Sequence, residues 1–498
     1  MTSLTVRNNQ RFLQREIPFA GAEQWRQFAA EALAGGNRLV GLSPVDRAVP
    51  HRLLSIFVDR ESSSIRVIGV EVHPDRLELP GLANEFPQLR YFESTLAEEY
   101  GYTFSGSTDL RPVRQPTPPQ LLDLPRFSTQ QDLEMHEVAV GPIHAGVIEP
   151  GHFRFHCHGE TVYNLDIALG YQHRGVEKLM LGIQDVPPGV RSHRIALAES
   201  IAGDTVLGHT GAHCRAMESL AGMQVGLPAQ ASRCVGEELE RIAMHLSGLS
   251  GIANDVGYAL VASSYGRLRT LAINALAEWS GSRFGRGFYV HGGVRQVLTD
   301  DIRASIRRNL ETIRHDIQVI NGELFMSTGI LLRFNELGVV SKDQAQRLGL
   351  TGPAARSAGI EIDTRVHFPY GAYRYFPISL LTLRTGDVAA RTRIRALEIE
   401  DSLRMILDLL EHFPEGPIRG DMDAPEPSSA VISLVEGWRG EIVHTAFTSE
   451  TGALQQYSIL DPSCLNWAAM PLVMRGTAIS DFPLCNKSFD LSYAGHDL

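Results

Sequence analysis

His156-Cys157-His158 lies on a segment that alternates as a strand does, which puts both imidazoles on one face and the thiol on the other. Two imidazoles could assist a metal site; the simpler expectation is a partly exposed strand face. Glu237, Arg241 and His245 recur at i, i+4 and i+8, one face of a helix. That spacing suits a proton path or, more simply, a structural ladder of charges. Asp461-Pro462-Ser463-Cys464 has half the outline of a D-P-C-x-x-C ligand motif, with its cysteine one place late and no second one. The final stretch FDLSYAGHDL (489–498) has the outline of such a motif with the thiols absent. The remaining cysteines are Cys157, Cys214, Cys234 and Cys485; no two of the five form a C-x-x-C pair. A disulfide framework or an all-cysteine metal site is therefore not expected, and small buried hydrophobes are. GRGFYVHGGV (285–294) is glycine-rich but lacks the phosphate-loop pattern, so a tight loop needing backbone freedom is expected rather than nucleotide binding.

These side chains need elements to hold them. AEQWRQFAAEALA (22–34) predicts a helix, RLLSIFVD (52–59) and SIRVIGVEV (64–72) predict strands, and 89–106 predicts a helix ending at Gly101. Residues 1–110 thus form a small α+β domain. Residues 111–133 carry five prolines and no sustained period, which predicts an extended linker. From 134 to 498 the pattern predicts one larger, helix-rich domain with β-hairpins at its edges. Strands open it near 135–168, long amphipathic stretches follow at 234–281, 298–326 and 387–413, and residues 431–450 predict a hairpin. The fold class is α+β.

Composition sets the outer limits. The chain is 43% apolar and 21% charged, as in globular proteins, and its net charge of −11 argues against nucleic acid as a partner. No apolar run reaches the roughly 18 residues of a membrane span, and the first residues lack the apolar core of a signal peptide. A cytoplasmic protein that docks on a membrane partner is expected.

Read in order, several stretches resemble one family. VGPIHAGVIEPGHFRF (140–155), LGYQHRGVEKL (169–179), GGVRQVL (292–298), TGPAARSAGIEIDTRVHFPYGAY (351–373) and TGDVAARTRIRALEIEDSLRMI (385–406) are similar to large subunits of energy-converting nickel–iron hydrogenases of the hydrogenase-3/4 and formate hydrogenlyase type. They equally resemble the quinone-site subunit of respiratory complex I, and FPQLRYFESTLAEEYGYTFSGSTDLRPV (86–113) resembles the end of its fused accessory subunit. The resemblance covers nearly the whole chain.

In such hydrogenases two C-x-x-C pairs hold nickel and iron, soft thiolates suiting that centre. The early pair belongs to E-R-x-C-G-x-C followed by a histidine; here ESIAGDTVLGH (199–209) matches Glu199, Gly203 and His209 but has Ala202 and Thr205 at the cysteine positions. Alignment of 466–498 puts the late motif at Asp490–Gly495, with Ser492 and Gly495 in the other two seats, and makes the 461–467 stretch a decoy. None of Ala202, Thr205, Ser492 and Gly495 supplies a thiolate. The resemblance therefore implies a chain without a nickel–iron centre, ending where matured hydrogenases end. In complex I the vacated cavity takes a quinone headgroup, contacted by a histidine that His144 matches and a tyrosine whose place Gly203 holds. By resemblance, the chain is an electron-transfer subunit with a cavity lined by His144, Asp204, His209 and Asp490, a quinone as its non-covalent cofactor, and no covalent one. The implied partners are a small subunit carrying an iron–sulfur cluster and antiporter-like membrane subunits, with the chain on the cytoplasmic face. Electron transport, quinone binding and NAD binding attach by resemblance to the complex. A working hydrogenase and a purely structural coupling subunit are the rival expectations.

Overall fold

Trp25, Phe28, Ala29, Ala32 and Leu33 bury one face of the helix Ala22–Ala34, as their helical spacing dictates. That face lies on an antiparallel sheet in the order Leu4–Val6, Ser64–Glu71, Arg52–Asp59, Arg38–Pro44, with Phe19–Ala20 added in parallel. Trp25 donates its indole N–H to Ser55 Oγ at 2.7 Å, so the one polar atom of the buried ring is satisfied. The helix Arg90–Tyr100 ends at Gly101, whose φ of +74° closes it in the left-handed cap that glycine adopts without strain. The computed structural model describes residues 2–114, 135–143, 149–183 and 192–498. Most of the proline-rich stretch lies outside the described residues.

The strands Met135–Val140, His152–His158 and Thr161–Ala168 form a three-stranded meander. His156 is buried rather than partly exposed. It bonds Asp166 at 3.2 Å and approaches Glu137 at 3.5 Å, and a register shift follows it, so the strict alternation expected for 156–158 does not hold. The long helices Leu227–Asp255, Ala259–Ser280, Asp300–Phe325 and Val388–Glu411 form the helical layer. The apolar stretch 234–281 is two helices; the chain turns at Gly257, φ +76°, between them. GRGFYVHGGV is the tight loop expected: Gly292 has φ +81° and a Cβ there would fall 2.3 Å from the Gly420 carbonyl oxygen. All five cysteines are free and buried.

The second sheet positions the site. Its order is Leu454–Leu460, Gly440–Thr448, Ser429–Gly437 and Phe12–Leu13, all antiparallel. Both central strands are buried along their whole length. Ala430, Ile432, Leu434, Val443 and Phe447 pack into the N-terminal core, while Val431, Ala446 and Tyr457 pack toward Ala216, Met217 and Leu220 of the helix Val206–Leu220. The period of two explains the split, and burial on both faces explains the continuous apolar run. The architecture is mixed α+β. No helix among the described residues is long and apolar enough to cross a membrane.

Candidate functional site

The helix Val206–Leu220 begins where the early ligand motif was read, and the five-residue helix Tyr493–Asp497 covers the late one. Arg439 joins them. It sits in the turn between Ser429–Gly437 and Gly440–Thr448 and grips Asp204 with both terminal nitrogens, at 2.6 and 2.7 Å. Such a two-point pair fixes direction as well as distance. The same guanidinium donates to Thr205 Oγ1 at 3.1 Å and to the Asp490 carbonyl oxygen at 2.5 Å. It stacks 3.9 Å over the ring of Trp438, whose indole N–H donates to the Asp204 carbonyl at 2.9 Å. One side chain thus ties residues 204–205, 438–439 and 490 together.

Asp490 has φ +57°, a left-handed conformation uncommon outside glycine but one that aspartate, like asparagine, adopts more readily than most residues, closing the helix Phe482–Phe489. Its carboxyl is pushed up by burial, against the pull of Arg439 and Arg395. A Cβ on Gly248 would lie 2.8 Å from Asp490 Oδ2, so the helix Leu227–Asp255 approaches this carboxyl closely only because residue 248 has no side chain. Glu149 completes the polar lining: it accepts the Tyr493 amide at 3.0 Å, and burial raises its carboxyl as well.

The four positions read as degenerate ligands are all buried and occupied by protein contacts. Ala202 has no donor. Thr205 Oγ1 is engaged by Arg439 and donates to Asp204 at 3.3 Å. Ser492 Oγ accepts the Gly495 amide at 2.9 Å, as a helix N-cap does. At Gly495 the Asp461 carboxylate takes the room of a side chain: a Cβ there would lie 2.6 Å from Asp461 Oδ2 and 2.7 Å from its Cγ. Asp461 caps the next helix through the Ser463 amide at 2.7 Å and receives His209 Nε2 at 2.9 Å. Burial raises its carboxyl, but the bond and charge of His209, with Arg439 beyond, hold it below the usual carboxylate range. Among the described residues no group of three or more His, Cys, Asp or Glu is arranged to hold a metal ion.

The structure therefore brings Asp204 and Asp490 together through Arg439. It sends His209 elsewhere: its imidazole is fully buried between Asp461 and His444, whose Nε2 lies 3.1 Å from His209 Nδ1. His144 lies outside the described residues. Glu237, Arg241 and His245 form a ladder of fixed pairs. Arg241 and His245 share the Glu398 carboxylate, at 3.4 and 2.9 Å, while Glu237 pairs with Arg215 at 2.8 Å. Sequence reasoning missed Arg439, Asp461, His444 and Glu149. The misplaced cysteine of the 461–467 stretch makes it a poor ligand motif, but its aspartate is the residue that matters here. The hairpin was expected, and an arginine between tryptophan and glycine at its tip was the available signal for Arg439.

This fold is shared with known proteins. Residues 255–429 match the family model described as the respiratory-chain NADH dehydrogenase 49 Kd subunit. Formate hydrogenlyase subunit 5 of Escherichia coli is 26% identical over 455 residues, covering 86% of this chain and 79% of that protein. The carbon monoxide-induced hydrogenase of Rhodospirillum rubrum is 28% identical, with 72% and 98% covered. An NADH-quinone oxidoreductase subunit of Dehalococcoides mccartyi is 29% identical, with 71% and 95% covered. In fold, the chain is similar to one chain in the structure of the membrane-bound sulfane sulfur reductase, an archaeal respiratory membrane complex, with a TM-score of 0.68 at 23% identity, covering 74% of this chain and all of that one. Together these likenesses support a hydrogenase large-subunit and complex I 49 kDa-type family for this chain.

Proposed function

We propose that this chain is the electron-transfer subunit of a membrane-associated complex related to energy-converting hydrogenases and complex I, and that it works without a nickel–iron centre. The observation that carries the second half is Asp461 against Gly495, in the room a ligand side chain would need. The donor set supports it: Ala202 and Gly495 have no donor atom, and the Thr205 and Ser492 hydroxyls are engaged in protein hydrogen bonds. A guanidinium at hydrogen-bond distance from Thr205 further disfavours a cation there. The present residues do not fit the metal group.

The complex itself is inferred from relatives whose names are those of hydrogenase and NADH-quinone oxidoreductase subunits. In this reading residues 1–110 are the accessory α+β domain, 111–133 the linker and 134–498 the large-subunit domain. A small subunit carrying an iron–sulfur cluster sits against the cavity, antiporter-like membrane subunits lie beneath, and the assembly sits on the cytoplasmic face. The redox cavity is of quinone type, assigned by resemblance to His144, Asp204 and Asp490, and a histidine there protonates a reduced carbonyl oxygen. A structural coupling role is the second reading, favoured by how completely Arg439 and Ser492 are engaged.

Purification of the complex from native membranes tests the first reading. An iron–sulfur small subunit and membrane subunits co-purifying with the chain is the expected outcome; recovery of the chain alone sinks it. Electron flux in the His144→Ala complex separates the two readings. Reduced flux supports the quinone site, and unchanged flux supports the coupling role.

A further inference from the structure

His209 does not end at Asp461. Its Nδ1 lies 3.1 Å from His444 Nε2; His444 Nδ1 lies 2.7 Å from the Tyr457 hydroxyl; and that hydroxyl lies 2.8 Å from His213 Nδ1. The fold builds this line from its periodicities. His209 and His213 are i and i+4 on the helix Val206–Leu220, so they share a face. His444 and Tyr457 stand on adjacent strands, where Ala446 pairs Tyr457 and His444 pairs Ile459, so the two side chains are diagonal neighbours. All five groups, Asp461 included, are 0% exposed.

The hydrogens in this line can be assigned by elimination. The Asp461 carboxylate only accepts, so His209 Nε2 carries a proton. With neutral imidazoles, His209 Nδ1 accepts from His444 Nε2–H, His444 Nδ1 accepts from the Tyr457 O–H, and Tyr457 oxygen accepts from His213 Nδ1–H. Every proton then points toward Asp461, and His213 Nε2 is left as a buried acceptor with no partner among the described residues. A second arrangement holds one more proton. His213 carries it on Nε2, each bond along the line reverses, and His209 becomes an imidazolium against Asp461. Every hydrogen bond in the line is kept in both arrangements.

We propose that Asp461, His209, His444, Tyr457 and His213 form a proton relay, which takes up a proton at His213 Nε2 and presents it at the His209–Asp461 pair, whose carboxylate packs against Gly495. The balance is simple: one proton enters at His213, one N–H or O–H bond is made and one broken at each step, and one proton is gained by the His209–Asp461 pair. The outer end faces His291, half-buried in the turn between Tyr289–Val290 and Gly293–Val294, with ring centres 5.7 Å apart. The charged and titratable groups around the line are Arg194 and His291 near His213, and Cys214, Arg194 and Glu177 near Tyr457. Arg439 stands beyond Asp461. Burial holds His213 and His444 well below the ordinary histidine range and Tyr457 above the ordinary phenol range, so the intermediates stay neutral at rest. A buried imidazole nitrogen left without a partner among the described residues is what a purely structural hydrogen-bond line would avoid. The delivery of the proton to a redox reaction rests on the proposed function; the relay does not.

The test uses the full-length chain, labelled with nitrogen-15 histidine, with no turnover. Hydrogen exchange of the imidazole N–H groups is followed by NMR after transfer to heavy water. In the relay the His213, His444 and His209 protons on the line exchange at one common rate. Tyr457→Phe removes the hydroxyl that both donates and accepts; His209 and His444 exchange should then slow by roughly tenfold or more, to the rate of local opening. A structural hydroxyl predicts the reverse, since its loss loosens the core and speeds exchange. Unrelated rates in the unsubstituted chain, or faster exchange in Tyr457→Phe, overturn the relay. Neither outcome depends on which electron donor the chain serves.

Discussion

Two buried polar regions meet the same hairpin, 429–448, and they are built on opposite plans. Around Glu436 the charges are full and paired. Arg356 contacts Glu398 at 2.7 Å, Glu436 at 2.8 Å and Asp363 at 3.3 Å; Arg365 contacts Asp363 at 2.7 Å and Glu238 at 3.0 Å. Burial raises the Glu398 carboxyl, yet Arg356, His245 and Arg241 hold it well below its ordinary range. Around His444 the groups are imidazoles and a phenol, with one carboxylate at the end. The first region has one good arrangement of charge and resists any change in it. The second has two arrangements of protons with the same bonds. A fold that uses ion pairs to lock helices and neutral rings to pass protons keeps the two tasks in separate groups.

Breaking the ionic region should have the largest effect. Arg356→Met leaves Glu398 and Glu436 without their main partner, and removing one member of a buried pair costs about 3–5 kcal/mol. Denaturant midpoints measure it, and a loss under about 1 kcal/mol, on the order of a surface pair, would mean the region is not locked. Gly495→Ala comes next. Its Cβ meets Asp461, and overpacking of this kind costs about 1–3 kcal/mol. The penalty should shrink in an Asp461→Ser background, read as a double-mutant cycle; equal penalties in both backgrounds would mean that Asp461 does not fill that space.

Two carboxylates on one helix sharpen the contrast by pH. Glu240 accepts the Leu207 and Gly208 amides at the start of the 206–220 helix, but burial pushes its carboxyl up to about 8. Its folded value is above its ordinary 4.5, so its stabilisation is full below pH 4.5 and is lost as pH rises through 8. Glu238 runs the other way. Burial raises it, but Arg365 and Arg241 bring it to about 2, so its stabilisation is present above 4.5 and lost as pH falls through 2. Glu240→Gln should therefore flatten the alkaline side of the stability profile and Glu238→Gln the acid side. Interchanged effects would reverse the assignment. The smallest change is expected on the outer helix, where Arg307 and Glu311 form an exposed pair at 3.1 Å. Arg307→Ala should cost no more than about 0.5 kcal/mol, and less in high salt.

Much of the fold was legible because it rests on local pattern. The helix 22–34, the cap at Gly101 and the hairpin 429–448 follow from spacing and turn residues. The break at Gly257 was hidden because apolar periodicity continues on both sides of it. The burial of His156 was hidden because its partner Asp166 stands on the next strand, ten residues on. The site was less legible for the same reason at greater range. His209 and Asp461 are 252 positions apart, and Arg439 reaches Asp204 across 235. The resemblance only marks Ala202, Thr205, Ser492 and Gly495 as candidate seats without thiols. Which side chain moved into the space is a matter of packing, and a motif with a misplaced cysteine conceals that its aspartate is the occupant.

The metal content of the complex, purified from native membranes without chelator, tests most directly whether this pocket is closed by protein groups. With Asp461 against Gly495 and Arg439 against Thr205, elemental analysis should find no stoichiometric nickel, and any iron should be accounted for by the clusters of partner subunits. One nickel per chain, lost in Gly495→Ala, would contradict it.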